Sequence, residues 1–369
     1  MSLRVLLAGG GSIGHVSPLL SLVDELRRRD PDVAVHCLAT AEGLESRVLP
    51  EHGLAVTVVP RVPLPRRPTP TLLSVPGRLA EAVAAAAGAI EAVRADVVVG
   101  FGGYVAMPGY LAARRRRVPL VVHEGNALPG IANRFAARFL ATAVAVSFAD
   151  TRLPKAVFTG LPIRRAVADL DRAQERSRAR AEFGLAPDAP TLLVTGGSQG
   201  AQRLNQAVLG AAADLAAAGI GVLHIAGPRN VVDAPEQEPR YVVRGYVDRM
   251  ELAYAASDLV LCRAGANTVA EVAAVGLPAV FVPLPFGNGE QRRNAAELLA
   301  AGAGLAIDDA DVDSAYVRTV VRDLATDPAR LAAMAGAARA IMPRDADRRL
   351  ADLVGDVAAG SHGSGSVPR

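Results

Sequence analysis

Short apolar segments alternate with longer Ala- and Leu-rich amphipathic segments along this chain, and this alternation limits its possible folds to a few. A short apolar run bounded by Gly, Pro or Asp predicts a strand that is buried on both faces. Such runs predict strands at 3–8, 33–39, 55–60, 96–100, 120–123, 143–147 and 156–159. The series then begins again, with predicted strands at 191–195, 221–226, 241–244, 259–262, 279–282 and 304–307.

The segments between these strands have the apolar periodicity of helices. Helices are predicted at 18–29, 42–51, 73–93, 108–116 and 130–138, and then at 201–217, 249–256, 267–275, 291–301 and 315–324. Strands that alternate with helices form parallel sheets covered on both faces. Two such series predict an α/β protein with two doubly wound, Rossmann-like domains. Ligands of such domains bind at the carboxyl ends of the strands, facing the cleft between the domains.

The domain boundary is predicted at Gly160-Leu161-Pro162, where a Gly/Pro break follows the last strand of the first series. The N-terminal domain is expected to comprise residues 1–162 and the C-terminal domain residues 163–344. Residues 345–359 are a candidate for packing back on the first domain. The Arg-rich segment 164–182 is predicted to be an exposed helix, and residues 360–369 a flexible or engineered tail.

Several classes of protein are excluded by what the sequence lacks. No segment approaches the roughly 18 consecutive apolar residues of a membrane-spanning helix. The first apolar run is too short for the core of a signal peptide, so a cytoplasmic location is predicted. Cys37 and Cys262 are far apart, and the six histidines show no HxxxH or HxH spacing. We therefore predict neither a disulfide nor a metal site.

Charge is unevenly distributed, although the formal net charge is only +3. Residues 1–162 contain 18 basic and 12 acidic side chains, whereas residues 163–369 contain 22 and 25. A basic half favours an anionic partner, which is nucleic acid, phospholipid headgroups or a phosphorylated substrate. With only 4% aromatic residues, the chain has few side chains for stacking on bases. We therefore predict no nucleic-acid partner.

The first glycine-rich element follows the first predicted strand. Gly9, Gly11 and Gly14 satisfy the GxGxxG fingerprint of dinucleotide-binding proteins. That fingerprint also needs an acidic residue at the end of the second strand, where this chain has Thr40. His15 begins the helix after the loop. It is either a base that reaches a substrate or a structural residue that closes the loop.

Two further elements lie between a strand and a helix in the second half. Residues 195–201, Thr-Gly-Gly-Ser-Gln-Gly-Ala, let backbone amides approach a phosphate at a helix N-terminus. They lack the GKS or GKT of a nucleoside-triphosphate loop, and the alternative is a tight packing turn. Residues 263–271 end in Glu271, whose carboxylate is suited either to accept hydrogen bonds from two vicinal hydroxyls or to cap a helix.

Six motifs occur in the order and at the spacing of one family. They are residues 9–15, 100–105, 123–126, 196–201, 263–271 and 290–295. Together they resemble the MurG family, the peptidoglycan N-acetylglucosaminyltransferases of glycosyltransferase family 28, over about residues 3–350. The Arg- and Ala-rich composition and residues 287–291 resemble the actinobacterial branch. The chain departs from the family at Gly125, where Gln or Ala is common, and at Glu290, where many members have Gln.

The resemblance implies a GT-B fold and an inverting hexosyltransferase. The donor would be UDP-N-acetylglucosamine, and the acceptor would be lipid I, the lipid-linked muramyl-pentapeptide that becomes lipid II. It implies no cofactor and no essential metal. Because the polyprenyl tail of the acceptor stays in the bilayer, it also implies a peripheral protein on the cytoplasmic side of the cell membrane.

The resemblance also assigns site residues. His15 and Asn126 are expected at the reacting centre, with Ser12 directed toward the acceptor as well as the donor. The donor site is expected to comprise Ser12, Gly14, Arg164, Ser198, Gln199, Gly200, Thr268, Glu271, Glu290 and Gln291. Within it, Ser198 and Gln199 would lie at the phosphates. Glu271 would bind the ribose, and Gln291 would contact the sugar.

A basic and apolar segment is the candidate contact with an anionic membrane surface. Residues 62–78 contain Arg66, Arg67 and Arg78 among apolar side chains, and residues 114–117 are four consecutive arginines. Basic and apolar residues together favour binding at the headgroup level of a bilayer. The alternative is a solvated loop beside a charged helix end.

Three other functions fit parts of the sequence. A UDP-sugar glycosyltransferase of antibiotic or glycolipid biosynthesis would share the donor motifs and differ in its acceptor. A nicotinamide oxidoreductase would need the acid that the second strand lacks, and an NAD titration tests it. An inactive membrane-binding module would have no affinity for UDP-sugars.

Overall fold

The computed structural model describes residues 2–62, 74–233 and 235–360. The chain divides into two compact units. One comprises the residues up to Pro162 together with the segment from Asp345, and the other comprises Ile163–Arg344. Each unit contains one parallel sheet with helices between its strands. The predicted fold class, two doubly wound Rossmann-like α/β domains, is confirmed.

The first unit is built on a sheet of order β3-β2-β1-β4-β5-β6-β7 in its described residues. Its strands are β1 (Arg4–Gly9), β2 (Ala34–Ala39), β3 (Ala55–Val58), β4 (Val97–Gly102), β5 (Leu120–Glu124), β6 (Ala143–Val146) and β7 (Ala156–Phe158). Its helices are α1 (Ile13–Arg29), α2 (Glu45–Glu51), α3 (Val75–Val93), α4 (Ala106–Arg116) and α5 (Ile131–Phe139). All neighbouring strands are parallel, so the loops after β1, β4 and β5 lie at the same edge of the sheet.

The second unit has a sheet of order β10-β9-β8-β11-β12-β13. Its strands are β8 (Thr191–Thr195), β9 (Gly221–Ile225), β10 (Tyr241–Arg244), β11 (Leu259–Cys262), β12 (Ala279–Phe281) and β13 (Gly304–Ala306). Its main helices are α6 (Arg165–Ala168), α7 (Arg172–Phe183), α8 (Gln202–Leu209), α9 (Ala212–Ala217), α10 (Met250–Ala256), α11 (Ala266–Val275), α12 (Glu290–Asn294) and α13 (Ala296–Ala300). Three further α-helices of this unit follow β13, namely α14 (Ser314–Tyr316), α15 (Arg322–Ala325) and α16 (Pro328–Arg339), with a π-helical segment, Val317–Val321, between α14 and α15.

The C-terminal helix α17 (Ala346–Ala358) packs on the first unit. Leu350 and Val354 are buried in the same core as Val5 and Leu7 of β1. Arg29 of α1 donates a hydrogen bond of 2.9 Å to the Arg348 carbonyl oxygen. The helix therefore packs on the first unit although the whole second unit separates it in sequence from the strands of the first sheet.

The prediction of an exposed helix over 164–182 was wrong in two respects. The segment contains α6 and α7, with Asp171 capping α7 through hydrogen bonds from the amides of Ala173 and Gln174. In addition, Arg180 is only 1% exposed and donates to Asp258 and to the Ala256 carbonyl. A buried arginine is stable here because each of its donors meets an acceptor.

Within the described part of the chain, no helix combines the length and apolar character needed to cross a bilayer.

Candidate active site

His15 lies in the first turn of α1, on the glycine loop that follows β1. Its Nδ1 atom lies 2.9 Å from the Gly10 carbonyl oxygen and 3.1 Å from Ser12 Oγ. Because a carbonyl oxygen only accepts hydrogen bonds, the neutral imidazole carries its proton on Nδ1 and keeps a lone pair on Nε2. The structural and the catalytic interpretations of His15 are therefore compatible. One nitrogen closes the loop, and the other can accept a proton.

The surroundings of His15 keep its ring neutral. Burial lowers the pKa of His15 below its usual 6.5, and this effect outweighs the opposite effects of the Gly10 carbonyl and Glu45. The loop after β4 lies directly against the ring. A Cβ at Gly102 would be 3.3 Å from His15 Nε2, and a Cβ at Gly103, whose φ is +82°, would be 2.3 Å from the Gly10 carbonyl oxygen. Only glycine permits this close approach.

A buried carboxylate, Glu45, holds the glycine loop after β1 in place. It accepts hydrogen bonds from the Gly11 amide at 2.9 Å and from the amide and hydroxyl of Thr40 at 3.1 and 2.8 Å. Burial alone would raise the pKa of Glu45, but these bonds bring it below the usual value, so the carboxylate is ionised. The polar groups of Thr40 are thus engaged with Glu45. Thr40 supplies no ribose-binding acid, and this disfavours the nicotinamide alternative.

A chain of hydrogen bonds connects the loop after β4 with the loop after β5. The Gly102 amide donates to the Tyr110 hydroxyl at 3.2 Å, and this hydroxyl donates to Asn133 Oδ1 at 2.6 Å. Asn133 Nδ2 donates to Glu124 at 2.9 Å, and Glu124 accepts from the Asn126 amide at 2.9 Å. The buried side chains of Tyr110, Asn133 and Glu124 therefore couple the position of Asn126 to that of Gly102, which lies beside the His15 ring.

His123 lies next to this network and is completely buried. Burial, with a smaller contribution from His15, lowers the pKa of His123 to about 3. Its Nε2 lies 3.2 Å from Ser147 Oγ. Because His123 is neutral and inaccessible, it packs the site and does not exchange protons with a substrate.

In the second unit, residues 196–201 connect β8 to α8. The side chains of Ser198 and Gln199 are exposed, and the Gly197 amide donates to Thr195 Oγ1 at 3.2 Å. Gln199 Oε1 accepts a 2.6 Å hydrogen bond from Arg229 Nη2. Gly200 ends the loop one residue before the α8 N-cap, Ala201. An exposed loop at the amino end of a helix favours anions such as phosphate.

Glu271 lies in α11, one turn after Thr268. It is 8% exposed, and its Oε2 accepts a 2.7 Å hydrogen bond from the hydroxyl of the buried Tyr254. Burial raises the pKa of Glu271, while Arg164 and the Tyr254 hydroxyl lower it. Arg164 is exposed and donates to the Asp248 carbonyl at 2.8 Å. The Tyr254 hydroxyl therefore engages Oε2 of Glu271 and not Oε1.

Gln291 and Glu290 differ in how their side chains are held. Gln291 Oε1 accepts from the amides of Ala264 at 3.2 Å and Leu284 at 2.9 Å, so that its Nε2 is oriented as a donor. Glu290 Oε2 accepts from the Asn288 amide at 3.2 Å. Glu290 thus closes its own loop, whereas Gln291 presents a donor beside the loop after β11.

The predicted residues fall into two sets, one in each unit. Ser12, Gly14, His15 and Asn126 lie at the carboxyl edge of the first sheet, and Arg164, Ser198, Gln199, Gly200, Thr268, Glu271, Glu290 and Gln291 belong to the second unit. Five supporting residues were not predicted from the sequence, namely Glu45, Tyr110, Asn133, Arg229 and Tyr254. Apart from Thr40, which is five positions from Glu45, their partners lie 8 to 34 positions away in the chain. No local pattern gives these pairings.

Residues 5–145 match the glycosyltransferase family 28 N-terminal domain, and residues 191–350 match its C-terminal domain. Two Rossmann-like units with these matches define a glycosyltransferase of the GT-B fold. The chain belongs to glycosyltransferase family 28. The predictions of family, fold and enzyme class are confirmed.

The relatives cover nearly the whole chain. A protein of Nocardioides sp. is 58% identical over 97% of this chain and 99% of its own length. A protein of Mycolicibacterium smegmatis is 52% identical over 96% of this chain and 94% of its own length. Both are named UDP-N-acetylglucosamine--N-acetylmuramyl-(pentapeptide) pyrophosphoryl-undecaprenol N-acetylglucosamine transferase.

Solved structures have the same architecture. The crystal structure of MurG from Acinetobacter baumannii is 29% identical, with a TM-score of 0.76, and the match covers 96% of this chain and 99% of that one. The calicheamicin glycosyltransferase CalG4 is 19% identical, with a TM-score of 0.70, covering 98% and 100%. The second likeness concerns the fold alone.

Proposed function

We propose that the protein transfers N-acetylglucosamine from UDP-N-acetylglucosamine to lipid I, the undecaprenyl-pyrophosphoryl N-acetylmuramyl-pentapeptide, and so forms lipid II. The observation that carries this proposal is the 58% identity, over 97% of the chain, to a protein named for that reaction. Geometry supports it at two points. His15 has a neutral ring whose Nε2 is available to accept a proton. Glu271 has one carboxylate oxygen, Oε1, that is not engaged by Tyr254.

In this reaction, His15 acts as the general base. The acceptor hydroxyl oxygen attacks the anomeric carbon of the donor from the face opposite the diphosphate. A carbon–oxygen bond to the acceptor forms while the bond between the anomeric carbon and the β-phosphate oxygen breaks, and that electron pair leaves with UDP. His15 Nε2 takes the hydroxyl proton, while the Gly10 carbonyl stabilises the resulting imidazolium through Nδ1–H. Asn126, held by Glu124, positions the acceptor.

The second unit binds the donor. Ser198, Gln199 and the amides near Gly200 contact the diphosphate, where the helix N-terminus stabilises the departing charge without a metal. Glu271 binds the ribose hydroxyls, and Gln291 Nε2 contacts the sugar. Ser12, Gly14, Arg164, Thr268 and Glu290 complete the proposed donor contacts. Of these, Glu290 is the least directed toward a sugar, because its carboxylate is bonded to its own loop.

A transfer assay tests this function. Radiolabelled UDP-N-acetylglucosamine is incubated with the enzyme and a soluble lipid I analogue, and the labelled disaccharide-lipid product is measured. We expect product to form from the muramyl-pentapeptide acceptor and not from polyketide or simple glycolipid acceptors of comparable size. Transfer to those acceptors in preference to the lipid I analogue would instead favour the antibiotic or glycolipid alternative.

We also propose that the protein is peripheral on the cytoplasmic side of the membrane, where its acceptor is anchored. Most of the expected footprint, residues 63–73 with Arg66 and Arg67, lies outside the described residues. In the second expected segment, residues 114–117, Arg116 forms an ion pair of 2.5 Å with Glu91. The candidate cations for lipid headgroups in this segment are therefore the other three arginines.

A second surface supports the same attachment. The α5 surface comprises the exposed apolar residues Ile131, Phe135 and Phe139, which alternate with Arg134 and Arg138. Ile131 is 83% and Phe139 64% exposed. Apolar side chains beside arginines on one helix fit the headgroup region of an anionic bilayer. The α5 surface is therefore our proposed membrane contact within the described residues.

A further inference from the structure

A second turn packs directly against the proposed phosphate loop of the C-terminal unit. Residues 227–230 follow β9, which is the neighbour of β8 in the sheet, and the Asn230 amide donates to the Gly227 carbonyl at 3.1 Å. Parallel neighbouring strands place the loops after β8 and β9 at the same edge. The sequence Gly-Pro-Arg-Asn has the residue types of a tight turn, with Pro at its second position.

The two loops are in contact through glycines. A Cβ at Gly227 would lie 2.6 Å from the Gly200 Cα, and a Cβ at Gly200 would lie 2.2 Å from the Ala226 carbonyl oxygen. Both residues have positive φ angles, +97° and +74°. Such close approach between backbones is possible only without side chains. The turn is thus built against the phosphate loop.

A buried polar cluster fixes this arrangement. The Ala226 carbonyl accepts hydrogen bonds from Asn205 Nδ2 at 3.0 Å and from Asn230 Nδ2 at 2.8 Å. Asn205 Oδ1 lies 3.0 Å from Nε2 of the buried His224. Because Asn205 belongs to α8, which starts from the phosphate loop, the cluster connects the turn, the strand and the helix.

Arg229 is the cation that this turn presents. Its Nη2 donates to Gln199 Oε1 at 2.6 Å, and the side chain is exposed. Among the described residues, no carboxylate forms an ion pair with it. Gln199 Oε1 accepts the hydrogen bond from Arg229 Nη2. The Gln199 amide nitrogen and the other N–H groups of the Arg229 guanidinium therefore remain as donors at the loop. Arginine with several donors is well suited to a phosphate group.

We propose that Arg229 is a further binding residue for the donor diphosphate and stabilises it as the leaving group. This inference rests on the proposed donor site. As the bond between the anomeric carbon and the β-phosphate oxygen breaks, negative charge accumulates on the diphosphate. A fixed cation there stabilises the transition state more than the bound donor, so Arg229 contributes to turnover as well as to affinity.

The test compares the affinities of UDP and uridine by calorimetric titration. Arg229→Gln should weaken UDP binding about tenfold or more, while uridine binding stays unchanged. Arg229→Lys should recover part of the loss, because it restores the charge without the fork of donors. Arg178→Gln is the matched control, since Arg178 is exposed on α7 and paired with Glu175. It should leave both affinities unchanged.

The outcomes separate the inference from the proposed function. If the unmodified protein prefers UDP to uridine and Arg229→Gln retains that preference, Arg229 has no role at the diphosphate and the inference is wrong. If the unmodified protein binds both equally, the proposed diphosphate site itself fails. With saturating donor, turnover of Arg229→Gln should also fall at least tenfold while the acceptor KM remains constant. An unchanged turnover would overturn the leaving-group role.

Discussion

At the residue scale, the tautomer of His15 is set by one backbone carbonyl. The Gly10 oxygen holds the Nδ1 proton, and burial lowers the ring pKa, so Nε2 is unprotonated at neutral pH. His123 is also neutral but has no exposed surface. Two histidines near the same sheet edge thus differ in accessibility, because only His15 is partly exposed.

We expect His15→Ala to lower turnover by about two to four powers of ten, the usual contribution of a general base, with little change in donor KM. His52→Ala is the matched control, because His52 Nδ1 also contacts a backbone carbonyl, that of Val48, at 2.8 Å. Steady-state kinetics with both substrates measures the effect. Near-normal turnover of the His15 variant would exclude His15 as the base.

Tyr254→Phe should show whether the hydroxyl of Tyr254 prepares Glu271 for ribose binding. Its loss leaves a buried carboxylate oxygen without a partner and raises the Glu271 pKa further, so more of the carboxyl is protonated at low pH. We expect donor affinity to fall about tenfold, with a larger loss at pH 6 than at pH 8. Titration with UDP-N-acetylglucosamine at both pH values measures it.

The 2′-deoxy donor provides a second readout. It should bind the unmodified enzyme more weakly than the ribo form, and this difference should shrink in Tyr254→Phe. Tyr316→Phe, a change of the same kind in α14, serves as the control and should retain the difference. A full 2′-deoxy penalty in Tyr254→Phe would mean that Tyr254 only packs the core.

At the element scale, the strands could be predicted but several helix boundaries could not. Buried parallel strands are continuous runs of Val, Leu and Ala, which a single sequence shows directly. Helix α1 begins at Ile13, five residues before the predicted start, and contains Pro18 in its second turn. The predicted helix 201–217 is interrupted at Gly210, which packs against Ser314. That contact depends on the folded chain and has no local signal.

The arginines of segment 164–182 that are buried or half-buried were not predicted from local sequence. Arg172 donates to carbonyls of Tyr254, Ser257 and Gly276, which end or follow α10 and α11. Burial lowers the pKa of Arg172 to about 10, so it still carries its charge at pH 7. An Arg-rich segment indicates a solvated helix by composition. Here, Arg172 and Arg180 donate to carbonyl oxygens at or near the carboxyl ends of α10 and α11, which have no partner within their own helix.

The stability of the β9–β10 region should depend on pH through His224. Burial lowers the His224 pKa to about 4, and the ring contacts the Tyr241 hydroxyl at 2.8 Å. The unfolded chain takes up a proton near pH 6.5. The pKa of His224 is lower in the folded protein than in the unfolded chain. Its contribution to the free energy of unfolding is therefore fully present above pH 6.5 and declines as pH falls toward 4, by roughly 3 kcal/mol at most.

Thermal unfolding of the unmodified protein and of His224→Gln between pH 7.5 and 5 measures this effect. The variant should have a lower Tm at pH 7.5, because it disturbs the contacts to Asn205 and Tyr241. Its Tm should, however, change less with pH. His52→Ala is the control for removing an exposed histidine. Parallel pH profiles for the unmodified and His224→Gln proteins would refute the linkage.

At the scale of the whole molecule, the repeated β/α series predicted the two units, and the six motifs predicted the family. The sequence did not predict which helix faces remain uncovered. Residues 131–139 have helical periodicity, yet Ile131 and Phe139 are exposed rather than buried. Periodicity gives the existence of an apolar face, whereas coverage depends on the neighbours that the fold supplies. The α5 surface therefore emerged only from the structure.

The final prediction concerns membrane attachment through the α5 surface. Replacing Ile131 and Phe139 together by Ser should weaken co-sedimentation with anionic vesicles about ten- to a hundredfold, because two apolar side chains lose their contact with lipid. Val231→Ser is the matched control, since Val231 is 92% exposed but belongs to the second unit. The loss should persist at high salt, because burial of apolar area is not screened.

Replacing Arg134 and Arg138 by Ser should have a different signature. Each arginine near an anionic surface contributes about 1 kcal/mol, and salt screens this attraction, so the two proteins should converge at high ionic strength. Neither pair of substitutions should alter transfer to a soluble acceptor analogue, since that substrate needs no membrane. If both variants bind vesicles like the unmodified protein, the α5 surface is not the attachment site. Binding must then depend on other residues, such as the basic segment 62–78.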